Sequence, residues 1–132
     1  MELPAENFHD LRCYVTWFGE DGIARTKVKE GSEITIADAK VNSIIVNKLS
    51  EQEKYPMIVD TSGIKSMEKE ARDYLAIQDR ESRINAIAII RKTHIGNMIA
   101  NFFIGLNKPS VPVKLFRNEA EALKWCDKFK ST

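Results

Sequence analysis

The sequence predicts one α/β domain spanning residues 1–132, a mixed, mainly parallel sheet with an N-terminal β-hairpin and four helices in the order ββαβαβαβα. Three observations predict it. An alternating stretch, a glycine-flanked turn and a second short stretch open the chain as a hairpin. Beyond it, short apolar runs alternate with segments of helical periodicity. The length of 132 residues, with 43% hydrophobic and 30% charged, fills one core and leaves nothing for a second. Strand–helix alternation demands right-handed crossovers and parallel pairing, whereas the hairpin contributes an antiparallel pair.

Leu11, Cys13, Val15 and Trp17 alternate with Arg12, Tyr14 and Thr16, which reads as a strand with one buried face. Gly19-Glu20-Asp21-Gly22 turns the chain into Ile23 to Lys29. Arg25, Lys27 and Lys29 share one face of that second strand, a solvated face or protected edge rather than a phosphate site. Thr35 and Asp38 have capping-box spacing, and Val41, Ile44, Ile45 and Leu49 give the helix they open its apolar face. Pro56 then precedes Met57-Ile58-Val59, a run suited to a strand buried on both faces.

Asp60-Thr61-Ser62-Gly63 ends that strand, and Ser66 is read as the N-cap of a helix with Met67, Ala71, Tyr74, Leu75 and Gln78 at helical spacing. Glu68/Arg72, Lys69/Asp73 and Asp79/Arg83, one turn apart, form its solvated face. Ala86 to Ile90 is the adjacent central strand. Thr93 caps a helix whose Ile95, Met98, Ile99, Phe102, Phe103 and Leu106 face the sheet, and Asn107-Lys108-Pro109 stops it. Val111 to Phe116 is the last strand. Asn118 with Glu121 makes a capping box for a helix burying Ala122, Trp125, Cys126 and Phe129.

Twenty basic against nineteen acidic residues argue against a nucleic-acid binder held by a broad basic footprint. Cys13 and Cys126 stand at opposite ends without a CxxC or Cys/His cluster, so no zinc or other metal site is expected. Two buried free thiols of a cytoplasmic protein is the plainer reading. The N-terminus lacks a signal-peptide pattern. The most apolar stretch, Ile95 to Leu106, is too short to span a bilayer.

The element order, with the turn Asp60-Thr61-Ser62-Gly63-Ile64, resembles the STAS domain of bacterial anti-sigma-factor antagonists, related in shape to CRAL-TRIO lipid-transfer domains. Tyr55 to Asp60, Lys65 to Arg72 and Val113 to Phe116 look like the uncharacterised bacterial STAS-like proteins. Signalling STAS domains carry a phosphorylated serine at the start of the helix after this strand. The corresponding stretch here is Met67-Glu68-Lys69-Glu70-Ala71, with no serine. The resemblance implies a non-catalytic regulatory or protein-interaction module without cofactor. The alternative is a carrier of a small apolar or lipid-like ligand.

Open parallel sheets bind ligands beyond the carboxyl ends of their strands, near helix N-termini. Those ends offer Asp60, Thr61, Ser62 and Gly63, then Arg91, Thr93 and His94, then Arg117 and Asn118, with Ser66 near the first. Together they suit an anionic ligand or a partner's acidic loop. The plainer reading is that Asp60 and Ser62 order a turn while Thr93 and Asn118 cap helices. A His94–Asp60 dyad is the weakest candidate, since no nucleophile elbow surrounds Ser62 or Ser66. Phe102, Ile104 and Gly105, with Trp125 of the last helix, are the candidate interface of a homodimer.

Overall fold

A computed structural model describes residues 1–78, 83–104 and 111–130, without the side chains of 76–78, 100 and 102–104. The strands are β1 (Phe8–Asp10), β2 (Tyr14–Phe18), β3 (Ala24–Val28), β4 (Ser32–Ile34), β5 (Tyr55–Asp60), β6 (Ile64–Met67), β7 (Ile84–Ile90) and β8 (Val113–Phe116). The helices are α1 (Ile36–Val46), α2 (Lys69–Gln78), α3 (His94–Ile104) and α4 (Glu119–Cys126), the last followed by a 3₁₀ turn. Six strands form one sheet in the order β1-β2-β3-β5-β7-β8. β1, β2 and β3 pair antiparallel, and β3, β5, β7 and β8 pair parallel, the mixed, mainly parallel α/β sheet expected.

β1, β4 and β6 go beyond the expected order, and β4 with β6 forms a separate parallel ladder. Ser66 lies inside β6 and is exposed, so it is no helix cap; α2 begins two residues after that strand ends. Strands of three or four residues have no period to read, because a remote partner defines them.

The hairpin turn is as expected, and Gly22 at φ 84° occupies the left-handed region where glycine is favoured. Two readings of the hairpin strands are corrected. Cys13 through Trp17 are all buried, because both faces of β2 are covered. β3 is a central strand: Arg25 is only 8% exposed and holds Asp21 at 2.6 Å, Lys27 donates to the Met1 carbonyl and Lys29 pairs with Asp10.

The Thr35/Asp38 capping box is present, tied down by Arg12, whose Nε donates to Asp38 at 2.9 Å. The apolar face assigned to α1 is corrected. Val41 and Ile44 are exposed, and Ala39 and Val46 are buried with Asn42 between them. The cause lies on the sheet, where Thr16 and Thr26 face each other with hydroxyls 3.0 Å apart. Buried hydroxyls need partners, and Asn42 accepts from Thr16 at 2.6 Å, which turns that side of α1 inward.

α3 is rotated likewise. A Cβ on Gly96 would stand 2.5 Å from Thr61 Oγ1, so the helix meets the residue that follows β5 through its glycine. Ile99 is buried, while Ile95 and Met98, expected to face the sheet, point outward. Thr93 does cap α3, accepting from the Gly96 N–H, and Asn118 caps α4, accepting from the Glu121 N–H. Of the α2 pairs, Lys69–Asp73 forms at 2.9 Å, whereas Asp79 lies outside the described residues, as does the Asn107–Pro109 stop. Arg83 reaches instead to the Ser50 carbonyl.

α4 packs on one sheet face, joining Ile23, Ile58, Ala88, Ile90 and Phe116 in one core cluster. α1, α2 and α3 cover the other, where Tyr14, Val28, Ile34, Ala39, Ala71 and Ile99 cluster. The expectation that β5 and β7 are buried on both faces holds on the α4 side and in part on the other, where Ile89 is buried while Met57, Val59 and Ile87 remain half-buried.

Candidate functional site

Parallel pairing brings the ends of β5, β7 and β8 to one rim of the sheet. Thr61 is joined to the Ile90 carbonyl through both its N–H and its hydroxyl, and Arg91 N–H donates to the Phe116 carbonyl. Asp60, 2% exposed, accepts from the Ser62 N–H at 3.0 Å and from the Ser62 hydroxyl, and the Met1 ammonium lies 3.4 Å away. Burial pushes its pKa up, but the Ser62 bonds and that ammonium outweigh it and hold the carboxyl below its ordinary value. Gly63 packs where a Cβ would stand 2.7 Å from the Val28 carbonyl oxygen, so close backbone approach requires glycine there.

The rim thus unites Thr61, Thr93 and Gly96, and separately Asp60 and Ser62. Arg91 is half-buried, and Thr93, His94, Arg117 and Asn118 are exposed. Among the described residues no hydrogen bond joins His94 to Asp60. Ser66 stands apart in β6.

A different site lies under the helices. A cavity of about 150 Å³ separates the middle of the sheet from the layer of α1, α2 and α3. Tyr14, Val28, Met57, Val59, Ile87, Ile89 and Val113 form its floor, and Ala39, Val46, Leu75 and Ile99 are among its roof residues. Among the described lining residues none is charged. Thr26 and Asn42 reach it but are engaged with each other and with Thr16. Tyr14, 5% exposed, belongs to the core cluster on this face with Val28, Ile34, Ala39 and Ile99. Burial raises the pKa of that phenol, with the nearby Cys13 and Asp38 adding to the effect. No motif marks this cavity, because its walls come from remote segments and it exists only where their packing is incomplete.

The helix positions proposed as an interface are divided. The Phe102 and Ile104 side chains and all of Gly105 lie outside the described residues. Trp125 is half-buried and packs on Phe116 and Phe129 with ring centroids 5.6 and 4.9 Å apart, on the sheet face opposite α3. Among the described side chains of the helical layer, the exposed large apolar ones are Val41 and Ile44 on α1 and Ile95 and Met98 on α3.

Cys13 and Cys126 are buried free thiols; burial pushes both upward, Cys126 to about 11. Among the described residues no group of three His, Cys, Asp or Glu could hold a metal ion, and no helix is long and apolar enough to cross a membrane.

The profile of a family described as a domain of unknown function, DUF7793, matches residues 16–130, and the chain belongs to that family. The fold is similar to that of an uncharacterised protein of the DUF3478 family with a SpoIIAA-like fold from Shewanella loihica PV-4. The TM-score is 0.58 at 15% identity, over 96% of this chain and 98% of that one. The architecture is therefore STAS-like, as the resemblance implied. A protein of unknown function from Arthrobacter sp. FB24 is 32% identical over 85% of this chain and 97% of its own, with a TM-score of 0.33. No curated protein matches the chain.

Proposed function

We propose that this DUF7793 member is a non-catalytic binding module, and that it binds a small apolar ligand between its sheet and its helices. The observation that carries the reading is the uncharged cavity of about 150 Å³ over half-buried Met57, Val59 and Ile87. Apolar cavities of roughly 150 Å³ stay dry and take up molecules the size of benzene. The strand-end rim supports the reading less. Asp60 and Ser62 satisfy one another there, and Thr93 and Asn118 are occupied as caps.

The test is thermal unfolding with and without millimolar toluene. A ligand that binds only the native state raises the midpoint. The wild type gains stability with toluene, and Val59→Phe, which fills the cavity, abolishes the gain. An unchanged wild-type midpoint rejects the reading.

A second reading, association with a protein partner or a second copy, draws on exposed Ile95 and Met98 of α3, at 36% and 63%. A specific dimer buries about 1,200–2,000 Å² in total. Light scattering of wild type and Met98→Glu tests it: a wild-type monomer at high micromolar concentration removes self-association.

A further inference from the structure

We propose that the cavity selects a compact hydrocarbon, a single ring with at most a small alkyl substituent, and rejects the same shape once it carries a hydrogen-bonding group. The inference rests on the cavity being a ligand site and names the class of its occupant. Two observations carry it. The first is that polar side chains of the wall are already engaged. Thr26 and Asn42 bond to each other and to Thr16, and the Thr61 hydroxyl donates to the Ile90 carbonyl. Asn47 donates through its amide nitrogen to the Ser43 carbonyl, and its amide oxygen accepts from the Arg83 N–H. Among the described residues, none in the wall carries a buried side-chain nitrogen or oxygen that lacks a partner.

The second observation is the rest of the wall. Met57, Val59, Leu75, Ile87, Ile89 and Ile99 are apolar, and no charged side chain stands among the described lining residues. A hydroxyl, amine or carboxylate carried into this space gives up its hydrogen bonds to water. To regain one from the engaged side chains it must displace a bond that the protein already makes, such as that of Asn42 to Thr16, which turns α1 inward. A methyl group gives up no hydrogen bond and gains from burial. Selectivity here comes from what the wall withholds, whereas small-molecule sites in general add a few placed polar groups to an apolar lining.

The volume of about 150 Å³ limits the body to about one six-membered ring. Long-chain acids and alcohols, too large and carrying a polar end, fall outside the class.

The probes are toluene, phenol and aniline, one shape bearing a methyl, a hydroxyl or an amino group. Each is titrated into ¹⁵N-labelled full-length protein and followed by amide chemical shifts. Wild type binds toluene at least about thirtyfold more tightly than phenol or aniline, because no protein group replaces the lost water. Val59→Phe and, independently, Ile87→Phe fill the space and remove the toluene shifts, which locates them in the cavity. Val59→Thr adds one hydroxyl to the wall at nearly unchanged shape and lowers the toluene-to-phenol ratio about tenfold, the scale of one neutral hydrogen bond. A wild-type ratio below about thirtyfold, or a ratio that Val59→Thr leaves unchanged, overturns the inference and leaves the apolar-ligand reading standing. If toluene does not bind, or its shifts survive both phenylalanine variants, both readings fall.

Discussion

On the α4 side of the sheet, Ile23, Ile58 and Ala88 have no accessible surface and Ile90 only 2%; on the opposite side, Met57, Val59 and Ile87 of the same two central strands are half-buried over a cavity. The strands are shared, so the difference comes from how helices meet them. α4 lies against β7 and β5 and places Ala122 and Cys126 on Ala88 and Ile58, small residues that let the layers close. The other three helices are held toward the flanks. α1 packs on β2 through the Thr16–Thr26–Asn42 bonds, α3 on β8 and β6, and α2 chiefly on α1. The middle of the sheet is therefore covered directly on one face and bridged on the other. A hydrophobic face can thus be enclosed without being filled, and the unfilled part becomes available to a ligand.

Truncation on the sealed face should have the largest effect. Ile58→Ala leaves a void that α4 cannot close and costs about 3–4 kcal/mol in urea unfolding. A loss below about 1 kcal/mol would mean that this face is no tighter than the other.

Asp60 lies at the end of the same strand, and its effect depends on pH. Its folded pKa is lowered, so its contribution is present above the unfolded value near 3.9 and is lost as pH falls through the lower folded value. Asp60→Asn should cost about 2 kcal/mol at neutral pH, the scale of hydrogen bonds to a charged group. Its stability should fall less steeply than that of wild type below pH 4, as measured by denaturant melts across that range.

Val59→Ala turns the comparison to the open face. The residue is already half-buried over empty space, so the loss should be about 1 kcal/mol, well below that for its neighbour Ile58. Equal losses at 58 and 59 would show that the cavity closes in solution.

Tyr14→Phe should have the smallest effect, within about 0.5 kcal/mol of wild type without ligand, since the lost hydroxyl has no described protein partner. A large loss would reveal a partner for it.

Local chemistry made much of the architecture legible. Gly19 to Gly22 announced the hairpin, Thr35 with Asp38, Thr93 and Asn118 marked helix starts, and the runs at Met57 and Ala86 read as neighbouring central strands. Each depends on residues close together in the chain, so periodicity and capping chemistry suffice to find it. The sequence by itself thus determined the order of the principal strands and helices and the mixed pairing of the sheet.

Only the tertiary structure decided which way the elements turn and where they fail to meet. Val41 and Ile44 form as good an apolar stripe as Ala39 and Val46, but the two threonine hydroxyls on the sheet draw Asn42 inward. Ile95 and Met98 yield the inner position to Gly96 because Thr61 leaves no room for a side chain there. β4 and β6 become strands only by finding each other across the chain. The cavity arises from the spacing between layers. Periodicity records that a residue is apolar; burial depends on neighbours remote in sequence, whose mutual fit exists only in the folded chain.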